Sequence, residues 1–246
     1  MKKINSKVVV FAREEDVSAS KYEESYVDVM ANDIIMLPNE KITEFNNLHN
    51  ILGNKKISNN SVLICHPYKE NYFINIEDSD EIIQREKLAN TADLARLLGA
   101  TKFEVLNISQ QETEKKYEFD IEGRLVVNTV KLNVKKSINE DTKKVYSLSN
   151  TYPGASPDYQ KAIIKLKEYG LIIDPEIKAL VESRNPIDKN LLSSQKISLK
   201  TSSEINDNLE IAANLMALGG ILNISTSFKK RISSRKSTEL TINIEF

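Results

Sequence analysis

Two stretches of this sequence, far apart along the chain, read alike, and any fold must accommodate both. The first runs from Tyr72-Phe-Ile-Asn-Ile76 through an apolar, helix-like stretch to Leu98-Gly99, then to Phe103-Glu-Val-Leu-Asn-Ile-Ser109. The second runs from Lys196-Ile-Ser-Leu-Lys200 through a similar stretch to Leu218-Gly219, then to Ile221-Leu-Asn-Ile-Ser225. Each spells a strand, a helix, a Leu-Gly stop, a strand ending Asn-Ile-Ser, and a further strand. The expectation is an α+β fold with a mainly antiparallel sheet. It is built from two related strand-helix-strand-strand units, at about 61–136 and 196–246, within a single domain 1–246.

Local signals support that layout. Residues 8–11 read as a buried strand and 13–26 as a charged, Ser-rich loop. Residues 27–37 read as one or two strands ended by Pro38. Asn39 reads as the cap of a helix carrying Ile42, Phe45, Leu48 and Ile51, with Gly53 just past its end. The repeat helices fall near 81–98, with Leu88, Ala92 and Ala95 in one stripe, and near 204–218, with Ile205, Leu209, Ala212 and Met216 in another. Tyr117, Phe119 and Ile121 alternate with acidic residues, Glu122-Gly123 reads as a turn, and Val126, Val130, Leu132 and Val134 alternate again. Leu222, Ile224, Thr226 and Phe228 share one face of an expected strand, and Leu240, Ile242, Ile244 and Phe246 share one face of its partner. Residues 229–238 form the bend between them. A helical hairpin is inserted at about 156–184: Ser156-Pro157 starts one helix that Gly170 ends, and Asp174-Pro175 starts the second.

Composition narrows the function classes. The net charge of -1 provides no global attraction to nucleic acid or to an anionic membrane, so any such contact must be local. One cysteine, Cys65, excludes an internal disulfide, and with two histidines it argues against a zinc site. The apolar run 8–11 is too short for a signal-peptide core, and no stretch reaches the about 18 apolar residues of a membrane helix, so the expected location is cytoplasmic. Abundant Lys, Asn and Ile point to an AT-rich coding source, bacterial or phage.

Few residues are candidates for chemistry. Cys65-His66 puts a nucleophile beside a base, but neighbours on a strand point to opposite faces and cannot form a working pair. The plainer reading is a buried cysteine at a strand end and a turn histidine, with His49 on a helix surface. Seven glycines include no phosphate loop or dinucleotide fingerprint, and no cofactor is expected. Glu77, Asp78, Asp80 and Glu81 read as helix-start residues that complement the dipole, rather than as cation ligands. Tyr68, Tyr72, Phe73 and Tyr152 read as core or rim packing, with a shared pocket as the alternative. The sharpest charge feature is the run Lys229, Lys230, Arg231, Arg235 and Lys236 at the expected hairpin tip. Such a tip can touch phosphate in nucleic acid or in an anionic membrane, although no aromatic residue interrupts the run to stack on a base.

The sequence therefore reads as a non-catalytic, intracellular binding or self-assembling protein, with a protein partner or a second copy as its counterpart. A second reading rests on the alternation in 103–134 and 221–246 and on the basic tip. At the level of fold, these hairpins resemble those of sheet-based pore-forming domains, which implies a membrane-directed effector whose hairpins rearrange on assembly. A third is an enzyme with a site near residues 65–80.

Overall fold

The computed structural model describes residues 6–22, 33–53, 56–119, 125–135, 140–188, 191–200, 203–215 and 226–246. Strand β1 (Val8–Ala12) leads to helix α1 (Glu14–Tyr22), strand β2 (Ile34–Pro38), a 3-10 turn at Asn39–Lys41 and helix α2 (Ile42–Leu48). Three short strands follow, β3 (Asn50–Leu52), β4 (Val62–Cys65) and β5 (Tyr72–Asn75), then the long helix α3 (Ser79–Leu97). Two long strands come next, β6 (Lys102–Phe119) and β7 (Leu125–Lys135), then α4 (Glu140–Tyr146) and the short β8 (Ser149–Thr151). The helical hairpin is α5 (Tyr159–Glu168), a 3-10 turn at Leu171–Ile173, and α6 (Pro175–Glu182). The chain closes with β9 (Ser194–Lys200), α7 (Ser203–Ala213), α8 (Thr226–Ser233) and β10 (Ser234–Glu245). This is an α+β fold with two mostly antiparallel sheets. The chain divides into two compact units, one comprising 1–82, 112–133 and 202–236, the other 83–111, 134–201 and 237–246. That division cuts across both stretches that read alike in sequence.

The first unit holds a sheet of order β2-β1-β4-β5-β3. β1 runs parallel to β2 and antiparallel to β4, and β5 runs antiparallel to β4 and parallel to β3. Every residue of β1 is buried, as expected of a continuous apolar run covered on both faces. Val9, Phe11, Leu63 and Phe73 meet Phe45 of α2 in one cluster. Its rings pack edge to face, Phe11 on Phe45 at 5.4 Å and Phe45 on Phe73 at 5.2 Å, the arrangement that ring quadrupoles favour. Helix α7 packs against β1 and β4 with Ile205, Leu209 and Ala212 buried. Its Asn208 Nδ2 donates to the Cys65 carbonyl at 3.0 Å, tying the helix to the end of β4.

In the second unit β9 pairs antiparallel with β10, placing Ile197 opposite Ile242 and Leu199 opposite Leu240. Two side chains reach the C-terminal end of β9: Gln84 Nε2 donates to Leu199 O at 3.1 Å, and Lys87 Nζ to Lys200 O at 3.0 Å. Helix α3 ends at Gly99, whose φ of +87° puts it in the left-handed region. A Cβ there would lie 2.1 Å from Ala155 O, so glycine is required twice over. The helical hairpin forms as the sequence indicates. Asp174 Oδ1 accepts from the N–H of Glu176 at 3.0 Å and of Ile177 at 3.1 Å, and Pro175 takes the first helical position. The first helix begins later than expected. Its cap is Asp158, accepting from Lys161 N–H at 3.2 Å, so Pro157 stands outside the helix.

Several expectations are corrected. Residues 14–22 form α1 rather than a loop. Glu14, Glu15 and Asp16 complement its dipole, Arg13 grips buried Asp16 through two hydrogen bonds of 3.0 and 3.1 Å, and Val17 is buried. The helix after Asn39 stops at Leu48, and Ile51 belongs to β3 because it pairs with Phe73. Residues 226–233 form α8, not a strand and a bend, because Phe228 and Ile232, four residues apart, are buried together on one helix face. The second stretch thus departs from the strand-helix-strand-strand pattern after α7. The turn expected at 122–123 and the strand expected at 221–225 lie outside the described residues.

Candidate binding surface

Helix α8 positions the basic run. Phe228 and Ile232 anchor it, and Arg231 Nη2 donates to Asp80 Oδ1 at 2.6 Å in a largely buried ion pair. Arg231 is therefore a structural cation. Lys229 and Lys230 are exposed, away from that buried stripe. Arg235 and Lys236 fall at the start of β10, and their side chains lie outside what is described. The run is thus not presented at a hairpin tip. Sequence reasoning found the charges and missed their carrier, although the four-residue spacing of Phe228 and Ile232 was there to be read.

Phe228 also lines a notch of about 210 Å³, together with Lys56, Ser58, Asn59, Asn60, Ser61, Val62, Asn75, Ile76 and Glu77. Its rim is a turn held by its own side chains. Ser58 N–H donates to Ser61 Oγ at 3.0 Å, and Ser61 N–H returns to Ser58 O at 3.1 Å. Asn60 takes a φ of +64°, which asparagine tolerates better than most residues, and its N–H reaches Asn39 Oδ1 at 3.3 Å. Opposite, Asn75 Oδ1 accepts from Glu77 N–H at 3.0 Å. The Lys56 ammonium and the Asn59 and Asn60 carboxamides have no partner among the described residues. The notch offers one cation, Lys56, one carboxylate, Glu77, and several two-way hydrogen-bonding groups over a floor of Val62, Ile76 and Phe228.

The other sequence candidates are not brought together. Burial pushes the Cys65 thiol up, and its Sγ contacts the carbonyl of His66 at 3.7 Å. His66 is buried, and burial first, with the Lys69 charge second, lowers its pKa to about 4. Its Nδ1 accepts from Tyr68 N–H at 3.0 Å, so that ring nitrogen is committed to the turn. A protonated thiol beside a neutral imidazole is not an activated pair. Asp80 is spent on Arg231, and no group of three or more His, Cys, Asp or Glu among the described residues could hold a metal ion. Phe73 is core, and Tyr152 belongs to the second unit, where its hydroxyl accepts from Asn150 Nδ2 at 2.9 Å.

His49, expected on a helix surface, is buried instead. Its ring tilts onto Phe45 at 4.3 Å and meets Phe73 edge-on at 5.3 Å. Nδ1 bonds to Asn71 Oδ1, and Asn71 Nδ2 donates to Leu48 O at 3.3 Å, which fixes the carboxamide's orientation. The histidine serves as an aromatic wall of the core. No known protein family, curated protein or solved structure matches this chain.

Proposed function

We propose that this chain is a non-catalytic binding protein whose first unit takes a phosphate-bearing ligand at helix α8 and the adjoining notch. Phe228 carries the reading. The side chain that anchors α8 also lines the notch, so the helix bearing the exposed Lys229 and Lys230 borders the site of Lys56, Asn59 and Asn60, with the two lysines outside the notch itself. Ammonium groups and carboxamides together suit an oxyanion, and the charge-assisted bonds are the stronger ones. Titration calorimetry tests it with pyrophosphate and with a short single-stranded oligonucleotide as separate probes. Binding should weaken steeply as salt rises and vanish in Lys229→Glu/Lys230→Glu. Binding that is insensitive to both salt and charge reversal would reduce the lysines to a solvated helix face.

A second reading is favoured by strand length. β6 has 18 residues and β7 has 11, against the about 9–11 a strand needs to cross a bilayer. Release of dye from anionic liposomes tests a hairpin that inserts.

A further inference from the structure

The notch beside α8 differs in charge from the helix. Lys229 and Lys230 lie outside it, and inside it the Lys56 ammonium is matched by the Glu77 carboxylate. A balanced notch exerts no net pull on a phosphate. What it holds in number is carboxamides. The side chains of Asn59 and Asn60 have no partner among the described residues. Asn75 spends its Oδ1 on the Glu77 N–H, and its Nδ2 donates to nothing among those residues. A carboxamide sets a donor and an acceptor side by side in one plane, the pattern that matches the edge of a nucleobase.

Size and floor point the same way. The volume of about 210 Å³ falls short of the about 300 Å³ at which pockets for larger organic ligands begin, so the notch takes a single ring system. Val62, Ile76 and Phe228 are each at most 3% exposed, and they close the bottom as an apolar floor under a polar rim. A flat ring with apolar faces and a hydrogen-bonding edge meets both. Position joins the notch to the helix. Phe228 lines the notch, and Lys229 and Lys230 follow it by one and two residues, with consecutive Cα atoms about 3.8 Å apart. That separation lies within the span of one nucleotide from base to phosphate.

We propose that the ligand is a nucleotide whose base seats in the notch, with its edge toward Asn59 and Asn60 and its face on Val62, Ile76 and Phe228, while its phosphate meets Lys229 and Lys230. This rests on the reading of α8 as a phosphate site and supplies what that reading leaves open, the group joined to the phosphate. A free nucleotide and one unit of a single strand share this chemistry.

The test is titration calorimetry of the full chain with AMP, GMP, CMP and UMP, and with ribose 5-phosphate, glucose 6-phosphate and pyrophosphate as probes that lack a base. At least one mononucleotide should bind at least about tenfold more tightly than ribose 5-phosphate, since its base adds several hydrogen bonds. That ratio should hold as salt rises, because the notch is balanced in charge, whereas binding of pyrophosphate should weaken. Asn59→Ala/Asn60→Gly should bring the mononucleotide down to the level of ribose 5-phosphate and leave pyrophosphate binding as in the parent. Both side chains are unpartnered among the described residues, and glycine accepts the φ of +64° at position 60, so the melting temperature should match the parent's. A tetranucleotide tells the two sources apart: affinity grows with length for a strand and stays level for a free nucleotide, and either result keeps a base in the notch. The proposal is overturned if ribose 5-phosphate or glucose 6-phosphate binds as tightly as every mononucleotide, or if the double variant binds mononucleotides as the parent does. In either case pyrophosphate binding that is lost in Lys229→Glu/Lys230→Glu would leave the phosphate reading standing. If neither pyrophosphate nor any mononucleotide binds the parent, both readings fall.

Discussion

Replacing Asp174 with alanine should be among the most damaging single changes in the second unit. Its carboxylate does two things at once. Oδ1 accepts the first free N–H groups of α6, from Glu176 and Ile177, and Oδ2 pairs with the ammonium of Lys87. The Lys87 side chain is 3% exposed and that of Asp174 is 14% exposed, so solvent screens the pair little. Loss of a helix cap costs about 1 kcal/mol. Stranding a buried ammonium costs roughly 3–5 kcal/mol, because its desolvation is no longer offset. The sum for Asp174→Ala is roughly 4–6 kcal/mol. Asp174→Asn keeps a cap acceptor and loses only the charge, so it should cost roughly 3–5 kcal/mol. Lys87→Met removes the cation itself, conserves volume, and leaves the carboxylate its two N–H partners. It forfeits the hydrogen bond to Lys200 O, about 1 kcal/mol, and should cost roughly 1–2 kcal/mol in all. Urea titration followed by far-UV circular dichroism measures the order, with midpoints compared at constant m. The chain contains no tryptophan, so fluorescence is the weaker probe. If Asp174→Ala lies within about 1 kcal/mol of the parent, or if Lys87→Met is as costly as Asp174→Ala, the buried-charge argument is wrong.

Two further outcomes follow from burial. Leu209→Ala should cost about 2–5 kcal/mol of first-unit stability, because Leu209 is fully buried where α7 meets β1 and β4, and a change within about 0.5 kcal/mol would show the helix free of the sheet. His66 has its pKa lowered to about 4 from the usual 6.5, so the unfolded chain binds its proton first; stability should fall by up to roughly 3 kcal/mol as pH drops from about 6.5 to about 4, and His66→Asn should flatten that slope in acid titrations followed by circular dichroism.

What the sequence revealed was set by local chemistry. Asp174-Pro175 announces a helix start because the cap acceptor and the missing N–H act within a few residues. Gly99 and Gly170 announce stops because a left-handed φ is a property of one residue, and both adopt it. The misreadings have non-local causes. α1 buries a single large apolar side chain, Val17, and it is held by packing against β2. The chain after Leu48 turns from helix to strand because Asn50–Leu52 pairs with β5, a partner the helical pattern through Ile51 does not mention. His49 is buried by Phe45, one helical turn before it, and by Phe73, far along the chain. The notch joins 56–62 and 75–77 to Phe228, so no window of sequence contains it. Arg231 and Asp80 are 151 residues apart, and no charge pattern predicts their pairing.

The basic run shows how that difference reaches function. Residues 222–228 satisfy a two-residue period and residues 228–232 a four-residue one, so the sequence supports strand and helix at the same place. Burial of Phe228 and Ile232 against the first unit selects the helix. The outcome sorts cations that look equivalent in the sequence. Arg231 is fixed against Asp80, and reversing it would set two carboxylates together in a half-buried site, a folding defect whatever the ligand. Lys229 and Lys230 stand on an anchored helix, so a ligand need not order the backbone to meet them, and less entropy is lost on binding than at a mobile hairpin end. Charge reversal across the whole run would therefore confound binding with stability. Only the pair Lys229 and Lys230, tested apart from Arg231, isolates recognition of phosphate from maintenance of the fold.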